Sequence, residues 1–474
     1  MMQRLYDTRQ QQLVDFTPLN EGVVTMYVCG PTVQSAPHVG HLRSALVYDQ
    51  IRRWFERTGL RVVLVRNVTD IDDKTLANAT EHEPWWALAY RVEGEFNAAY
   101  RALRVLAPTY EPRATASIPE MQAIIARLIE RGHAYPAEDG SGDVYFDTAN
   151  WAHYGELTHQ QVGDMEAGDG PVRAKRSPQD FALWKGHKPN EPESAAWESP
   201  WGRGRPGWHI ECSAMSTKYL GNEFDLHGGG RDLRFPHHEN ELAQSRAAGD
   251  GFARHWLHNG LVSLGGTKMS KSVGNVVSAR QLLDEHRPII VRYLLGSAHY
   301  RSTIELSEDA YREAEAGFER IEGFLKRAGR AGADLSTHAS LRTSHIVVPE
   351  AFTAAMLDDF AVPQAVAAIH EAVTAGNQAL DAGNTDEAAR LALQVRIMLD
   401  VLGCDPYAEE WADASEDGDT TFAALDTLVR ALLEQRAQAR ADKDWTTADR
   451  IRDSLAAAGI NVEDTPNGAH WSVN

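Results

Sequence analysis

Between Val23 and Val65 the chain alternates in a pattern that few folds accept. Val23–Val28 is a short apolar run that stops at Cys29-Gly30-Pro31, as a strand does when it enters a turn. Leu42, Leu46, Ile51, Trp54 and Phe55 then recur near helical spacing and predict a helix over 38–58. Val62–Val65 is a second β-branched, apolar strand. Strand, helix, strand is the unit of a parallel nucleotide-binding sheet. It places His38-Val39-Gly40-His41 at the turn into the helix. There, free backbone N–H groups and the positive dipole end suit a phosphate, Gly40 admits a ligand close to the backbone, and two imidazoles can donate to phosphate oxygens. Taken alone, the tetrapeptide is more commonly a surface or core histidine pair.

Lys268-Met269-Ser270-Lys271-Ser272 follows the apolar run Leu257–Leu264 and Gly265-Gly266. Two lysines and two hydroxyls on a glycine-flanked loop can neutralise a pyrophosphate as its charge develops. A solvated Lys/Ser loop reads the same in isolation; the two motifs in this order are far more specific than either. Residues 108–200 carry a helical stretch near Met121–Glu130, a strand at Val144–Phe146 and many Gly, Pro and Asp, and are expected as an insertion. Ser278 with Gln281 predicts a capped helix start. From Ser307 onward the pattern is helical, with apolar faces for a bundle. Residues 405–419 hold seven acidic side chains and no Lys or Arg, and are expected as a linker. Beyond it, Leu425–Leu433 and Thr446–Ala458 predict two further helices.

The side chains sum to 47 basic and 67 acidic, a formal charge of −20, which argues against a protein that coats nucleic acid non-specifically. Local basic clusters are Arg173, Lys175 and Arg176; Arg203 and Arg205; and Lys326, Arg327 and Arg330, each more commonly a solvated surface when taken alone. Three cysteines, Cys29, Cys212 and Cys404, cannot build a disulfide framework. With no apolar run of membrane-spanning length and no signal-like start over Met1–Phe16, the expected location is the cytoplasm. His237 and Glu241, four apart, would share one helix face, and with two thiolates would make a tetrahedral zinc set, although spacing alone does not prove it.

His38-Val39-Gly40-His41 and Lys268-Met269-Ser270-Lys271-Ser272 resemble the two signatures of class I aminoacyl-tRNA synthetases. The surroundings resemble the cysteinyl family: Met26-Tyr27-Val28-Cys29-Gly30-Pro31-Thr32, Arg66-Asn67-Val68-Thr69-Asp70-Ile71-Asp72-Asp73-Lys74, Gly207-Trp208-His209-Ile210-Glu211-Cys212-Ser213 and Phe235-Pro236-His237-His238-Glu239-Asn240-Glu241. Gln34-Ser35 stands where that family often has Tyr-Asp, and Val39 where isoleucine is usual. The resemblance implies an α/β fold: a Rossmann-like parallel-sheet catalytic domain (1–107 and 201–305) split by the insertion (108–200). A helical bundle (306–404), the acidic linker (405–419) and a small anticodon-binding domain (420–474) follow. It implies Zn2+ held by Cys29, Cys212, His237 and Glu241, and an amino-acid pocket of Cys29, Thr69, Trp208 and His237. ATP, with Mg2+, would meet His38, Gly40, His41, Asp232, Lys268 and Lys271, of which His38, His41, Lys268 and Lys271 would carry catalysis. Arg440, Trp445, Asp449 and Asp464 would contact the anticodon of tRNA(Cys), and the chain would be a monomer.

A zinc centre is chemically apt for selecting cysteine. Shape alone separates –SH from the near-isosteric –OH of serine by roughly 1–3 kcal/mol, whereas zinc binds a thiolate strongly and an alcohol poorly. Two other readings share the residues. A cysteine ligase of mycothiol synthesis would pass cysteine to an amino-sugar amine, but lacks a tail like Leu425–Asn474. A non-catalytic RNA-binding relative would not need both signatures and the four candidate ligands.

Overall fold

The alternation read between Val23 and Val65 is realised in a computed structural model, which describes residues 2–160, 174–265, 267–268, 276–335, 347–412, 416–465 and 468–473. A short antiparallel hairpin, β1 (Arg4–Asp7) and β2 (Gln12–Asp15), precedes β3 (Val23–Val28). α1 (Val39–Arg57) and β4 (Arg61–Arg66) follow. α1 buries Leu42, Leu46, Ile51, Trp54 and Phe55, the residues whose spacing predicted it. Next come α2 (Asp73–Asn78) and α3 (Trp85–Ala102).

The segment expected as an insertion holds α4 (Ile118–Glu130), β5 (Ala134–Pro136), β6 (Val144–Phe146), β7 (Phe181–Gly186) and β8 (Gly204–Pro206). Its strands pair in chain order as an antiparallel sheet. Pairing of Trp184–Gly186 with Gly204–Pro206 carries this sheet past residue 200. Met121, Ile125, Leu128 and Trp184 of the insertion pack in one cluster with Cys212, Phe224 and Trp256, and Tyr135, Tyr145 and Ala182 form a second, smaller cluster within it.

α5 (Trp208–Leu220), β9 (Glu223–Gly230), α6 (Glu239–Ala247) and β10 (Phe252–Asn259) complete the central sheet. It is wholly parallel, in the order β10-β9-β3-β4. β3 has β4 on one side and β9 on the other, so its chain connections diverge there. The carboxyl ends of β3 and β9 therefore border the crevice in which open parallel sheets bind ligands.

β11 (Val262–Leu264), β12 (Thr267–Lys268), α7 (Ala279–Glu285), α8 (Pro288–Ser297) and β13 (Ile304–Leu306) lead out of the sheet. Ser278 caps α7 by accepting from the Gln281 N–H, as its sequence predicted. α9 (Glu308–Arg330), α10 (Glu350–Leu357), α11 (Val362–Asp381) and α12 (Thr385–Leu402) form the helical region. α9 turns Tyr311, Phe318, Ile321, Phe324 and Leu325 inward along one stripe. Arg292 of α8 ties this region to the sheet: fully buried, it donates to the carbonyls of Leu402 and Leu103 (2.9 and 2.8 Å) and to Asp49 of α1. α12 ends at Gly403 in the left-handed region (φ 70°), where a Cβ would collide with the Arg292 guanidinium.

Residues from Pro406 onward form a second unit. It contains α13 (Glu409–Ala412), α14 (Glu416–Ala441), α15 (Trp445–Ala457) and a hairpin of β14 (Ile460–Thr465) and β15 (Gly468–Val473). Val429, Ile451, Leu455 and Ile460 make its own small core. The acidic stretch expected as a linker thus carries α13 and the start of α14. Among the described residues no helix is long and apolar enough to cross a membrane.

Candidate active site and metal centre

A cavity of about 370 Å³ opens at the carboxyl ends of the parallel strands. Cys29 and Gly30 enter it from the end of β3, Gly230 from β9, and Asn259 and Gly260 from β10. His38, Gly40 and His41 line it from the start of α1, and Trp208 from the start of α5. A Cβ at Gly30 would strike the Asn67 carbonyl, so this strand end accepts only glycine.

Cys29, Cys212, His237 and Glu241 converge beside this cavity, with one ligand atom of each within 4.8 Å of all the others. Cys29 Sγ lies 3.7 Å from Cys212 Sγ and 3.3 Å from Glu241 Oε1. His237 Nε2 lies 3.1 Å from Glu241 Oε1. Three elements bring the four together: the β3 turn, α5, and the turn Arg234–His238 running into α6. Two sulfurs, an imidazole nitrogen and a carboxylate oxygen in a buried cluster are a donor set suited to a borderline-soft cation. The surroundings orient these donors. His237 Nδ1 lies 2.9 Å from His209 Nδ1, Trp208 stacks on the His237 ring at 4.1 Å between centroids, and His227 Nε2 contacts Glu241 Oε2 at 2.8 Å. His227 and His238, with the same Cys29 and Glu241, make a second group whose ligand atoms all lie within 4.8 Å of one another.

Electrostatics divide the two thiols. Burial pushes the Cys29 thiol well up, and its bond to Cys212 adds to this. Burial also pushes Cys212 up, but the bond with Cys29 and the charge and hydrogen bond of His237 outweigh it, bringing Cys212 down to about 6. Burial would lower His237; Glu241 and Cys212 reverse it and raise this histidine. Burial drives His209, His238 and His258 down, which keeps them neutral.

His38 and His41 act together differently from the sequence expectation. His38 is the N-cap of α1: its Nδ1 accepts from the Gly40 N–H (3.1 Å), and His41 Nδ1 accepts from the His38 N–H (3.1 Å). The Val39 N–H goes to the Val277 carbonyl. The first-turn amides are therefore engaged within the protein rather than open to a phosphate. With both Nδ1 atoms accepting, neutral rings carry their protons on Nε2, which makes the imidazoles the donors. A Cβ at Gly40 would press on the His38 ring at 3.0 Å, so Gly40 also makes room for this cap.

Thr69, expected in the amino-acid pocket, is buried and donates to Glu211 Oε2 (2.9 Å). Asp232 is exposed and lines the cavity. Lys268 lies in β12, while its side chain and all of Lys271 fall outside the described residues. The sequence reading passed over Glu211, His209 and Lys74, although all three lie inside motifs it singled out. Tyr48, whose hydroxyl bonds Gly229 at both its N–H and its carbonyl (2.6 and 2.9 Å), gave no sequence signal.

Residues 15–316 match the family described as the tRNA synthetases class I (C) catalytic domain, residues 351–404 the DALR domain, and residues 410–471 the cysteinyl-tRNA ligase anticodon binding domain. The cysteine–tRNA ligase of Clavibacter sepedonicus is 62% identical over 484 residues, covering 100% of both chains. That of Micrococcus luteus is 61% identical over 488 residues with the same coverage. The chain belongs to the cysteine–tRNA ligase family. Among solved structures, Mycobacterium tuberculosis methionyl-tRNA synthetase in complex with methionyl-adenylate is similar with a TM-score of 0.56 at 17% identity. That likeness spans 81% of this chain and 90% of that one, and concerns the fold alone.

Within this cysteine–tRNA ligase family member, the second unit presents a different kind of surface. Trp445 begins α15 with 59% of its surface exposed. Asp449 is exposed and pairs with Arg452 at 3.1 Å. Arg440 lies exposed near the end of α14. Asp464 is in β14, its side chain outside the described residues. Several of the basic clusters are spent internally. Arg205 bonds Asp73 and Glu191, Arg203 pairs with Glu193 and Glu198, and Arg327 pairs with Asp381. Arg176 sits 4.0 Å over Tyr135, and Arg173 lies outside the described residues.

Proposed function

We propose that this chain is a cysteine–tRNA ligase, joining L-cysteine to ATP as cysteinyl-adenylate and passing it to the 3′-terminal adenosine of tRNA(Cys). The observation that carries this reading is the meeting of two thiols, an imidazole and a carboxylate beside the cavity whose rim holds the histidine cap of α1. Zn2+ bound there would supply a Lewis acid that accepts a thiolate and discriminates against an alcohol.

Cys29, Cys212, His237 and Glu241 are the residues that would hold it, and Trp208 keeps the His237 ring in place. Thr69, which donates to Glu211, would border the amino acid. The Nε2–H groups of His38 and His41 donate to the triphosphate of Mg-bound ATP while the cysteine carboxylate attacks the α-phosphate in line. Lys268 and Lys271 neutralise the departing pyrophosphate. Support for their proximity is the pairing of Val277–Ala279, which follow this segment in the chain, with Pro37–Val39 of the histidine turn. Asp232 would accept from the ribose. The class I family match supports the 2′ hydroxyl as the acceptor, and Arg440, Trp445, Asp449 and Asp464 would read the anticodon. The chain would act as a cytoplasmic monomer.

ATP–pyrophosphate exchange that depends on cysteine and rejects serine, followed by charging of tRNA(Cys), tests the reading. Exchange coupled to an amino-sugar acceptor without tRNA charging would favour the mycothiol-type ligase. Absence of exchange would overturn both.

A further inference from the structure

Lys74 lines the cavity from the first turn of α2, exposed to solvent. Its amine has no ion-pair or hydrogen-bond partner among the described residues. Arg66, which also lines the cavity, is committed: it donates to Glu111 at 2.7 Å and lies 4.3 Å over the Tyr100 ring. The carboxylate next to Lys74 in the chain, Asp73, is committed as well. Asp73 bonds Lys185 of β7 (2.6 Å) and Arg205 of β8, and these charges hold it well below the ordinary carboxylate range against the effect of burial.

The backbone that carries Lys74 is fixed from two sides. Asp73 clamps α2 to the insertion sheet, and Asn78 at its other end donates to the carbonyl and side chain of Gln34 (3.0 Å each) in the turn after β3. Asp72 caps the helix by accepting from the Lys74 N–H (2.8 Å). An uncommitted amine on so constrained a helix is a placed charge rather than a loose one.

The segment bearing Lys74 leaves β4, at one edge of the sheet, whereas the Lys268 segment follows β10 at the other edge. The histidine cap lies on α1 between β3 and β4. The cavity thus has a cationic group on the side that Asp73 ties to the insertion sheet. In the reaction proposed above, the second substrate is a single-stranded RNA end whose terminal nucleotide is preceded by a phosphodiester.

We propose that Lys74 forms the subsite for that phosphodiester, a single-point anionic contact that registers the terminal adenosine of tRNA over the adenylate. An ammonium is suited to this as a compact point charge with three donors. The proposal rests on the cysteine–tRNA ligase reading and adds the residue that meets the acceptor end.

The test measures three quantities on the full chain and on Lys74→Gln, Lys74→Glu and Lys74→Arg. They are ATP–pyrophosphate exchange without tRNA, single-turnover transfer from preformed cysteinyl-adenylate at subsaturating tRNA, and the salt dependence of that transfer. Lys74→Gln should lose about tenfold in transfer and at most about twofold in exchange. Lys74→Glu should lose more, and Lys74→Arg should recover most of the transfer. The slope of log rate against log salt should shrink by about 0.7 in Lys74→Gln, the loss of one single-strand phosphate contact. A merely structural lysine would not change this slope. Equal losses in exchange and transfer would place Lys74 on ATP and overturn the subsite, as would unchanged transfer. Failure of the unsubstituted chain to exchange or charge would instead overturn the ligase reading itself.

Discussion

Cys212, His237 and Glu241 beside the cavity are at most 1% exposed, whereas Trp445 of the second unit is 59% exposed. The first group is enclosed by the protein and, on the reading proposed above, would meet a small ligand. Its donors are oriented before anything binds, by Trp208 on His237, His209 behind it and His227 on Glu241. A face that reads an RNA base cannot be closed in advance, because its partner supplies the other half of the contact. Buried groups should therefore respond to substitution through metal affinity and folding, and exposed groups only through the macromolecular partner.

The largest effect expected from this contrast is at Cys212. Cys212→Ser removes one of two sulfur donors and leaves a hydroxyl that binds the metal poorly. Metal affinity should fall by more than the ~10–100-fold typical of an outer-shell change, and cysteine-dependent exchange should be lost with it. Full metal occupancy in the purified variant would show that the four residues do not act as one centre.

Next is a matched pair of aspartates. Asp49, on the buried face of α1, accepts from Arg53 (2.9 Å), Arg292 and the Leu106 N–H (2.8 Å). Burial alone would raise its pKa, but Arg53 and Arg292 bring it down to about 2. The folded carboxyl thus holds its proton less tightly than the unfolded one. Its stabilisation is complete above the ordinary value of 3.8 and is lost as the pH falls toward 2. Asp49→Asn should cost about 3–5 kcal/mol at neutral pH, because two arginines stay buried without their charge partner. It should also flatten the acid limb of the stability curve. The same change at exposed Asp449 should leave chemical denaturation unaltered. Equal effects at the two positions would erase the distinction.

The sequence made part of this contrast legible. Cys29 stands where the apolar strand stops, His237 and Glu241 share a helical spacing, and His38 to His41 open a helix whose buried stripe was readable. These are local patterns, and local geometry preserves them. The use of the first-turn amides of α1 was not legible, because it depends on two imidazoles folding back onto the backbone and on a distant carbonyl at Val277. Nor was the start of α14 within the acidic stretch. Acidic residues read as a solvated linker, yet Glu416 and Asp417 also suit the positive end of a helix. Lys74 lay in a recognised motif, but its significance comes from Asp73 being claimed by Lys185 and Arg205, more than a hundred residues later in the chain.

A smaller effect is expected one layer out from the metal. His209→Ala removes the group that faces His237 Nδ1 and leaves all four donors in place. Metal affinity should fall about 10–100-fold without loss of the fold. A chelator competition series on the purified protein measures this. Affinity equal to that of the unsubstituted chain would mean that Trp208 alone orients the ring.

The smallest effect is at Trp445. Its ring packs little within its own unit, so Trp445→Ala should leave thermal stability and cysteine-dependent exchange as they are. If the ring stacks an anticodon base, its loss costs about 1–3 kcal/mol in tRNA binding. At about 1.4 kcal/mol per tenfold, charging at subsaturating tRNA should drop by about tenfold or more and recover as tRNA is raised. A minihelix carrying only the acceptor stem should be charged equally by both proteins, since it presents no anticodon. The paired measurement separates a stacking contact from general damage: damage would slow minihelix and full tRNA alike. Undiminished charging of full tRNA would leave Trp445 an exposed aromatic without a role in recognition, and the contrast between enclosed and open surfaces would then rest on the cavity alone.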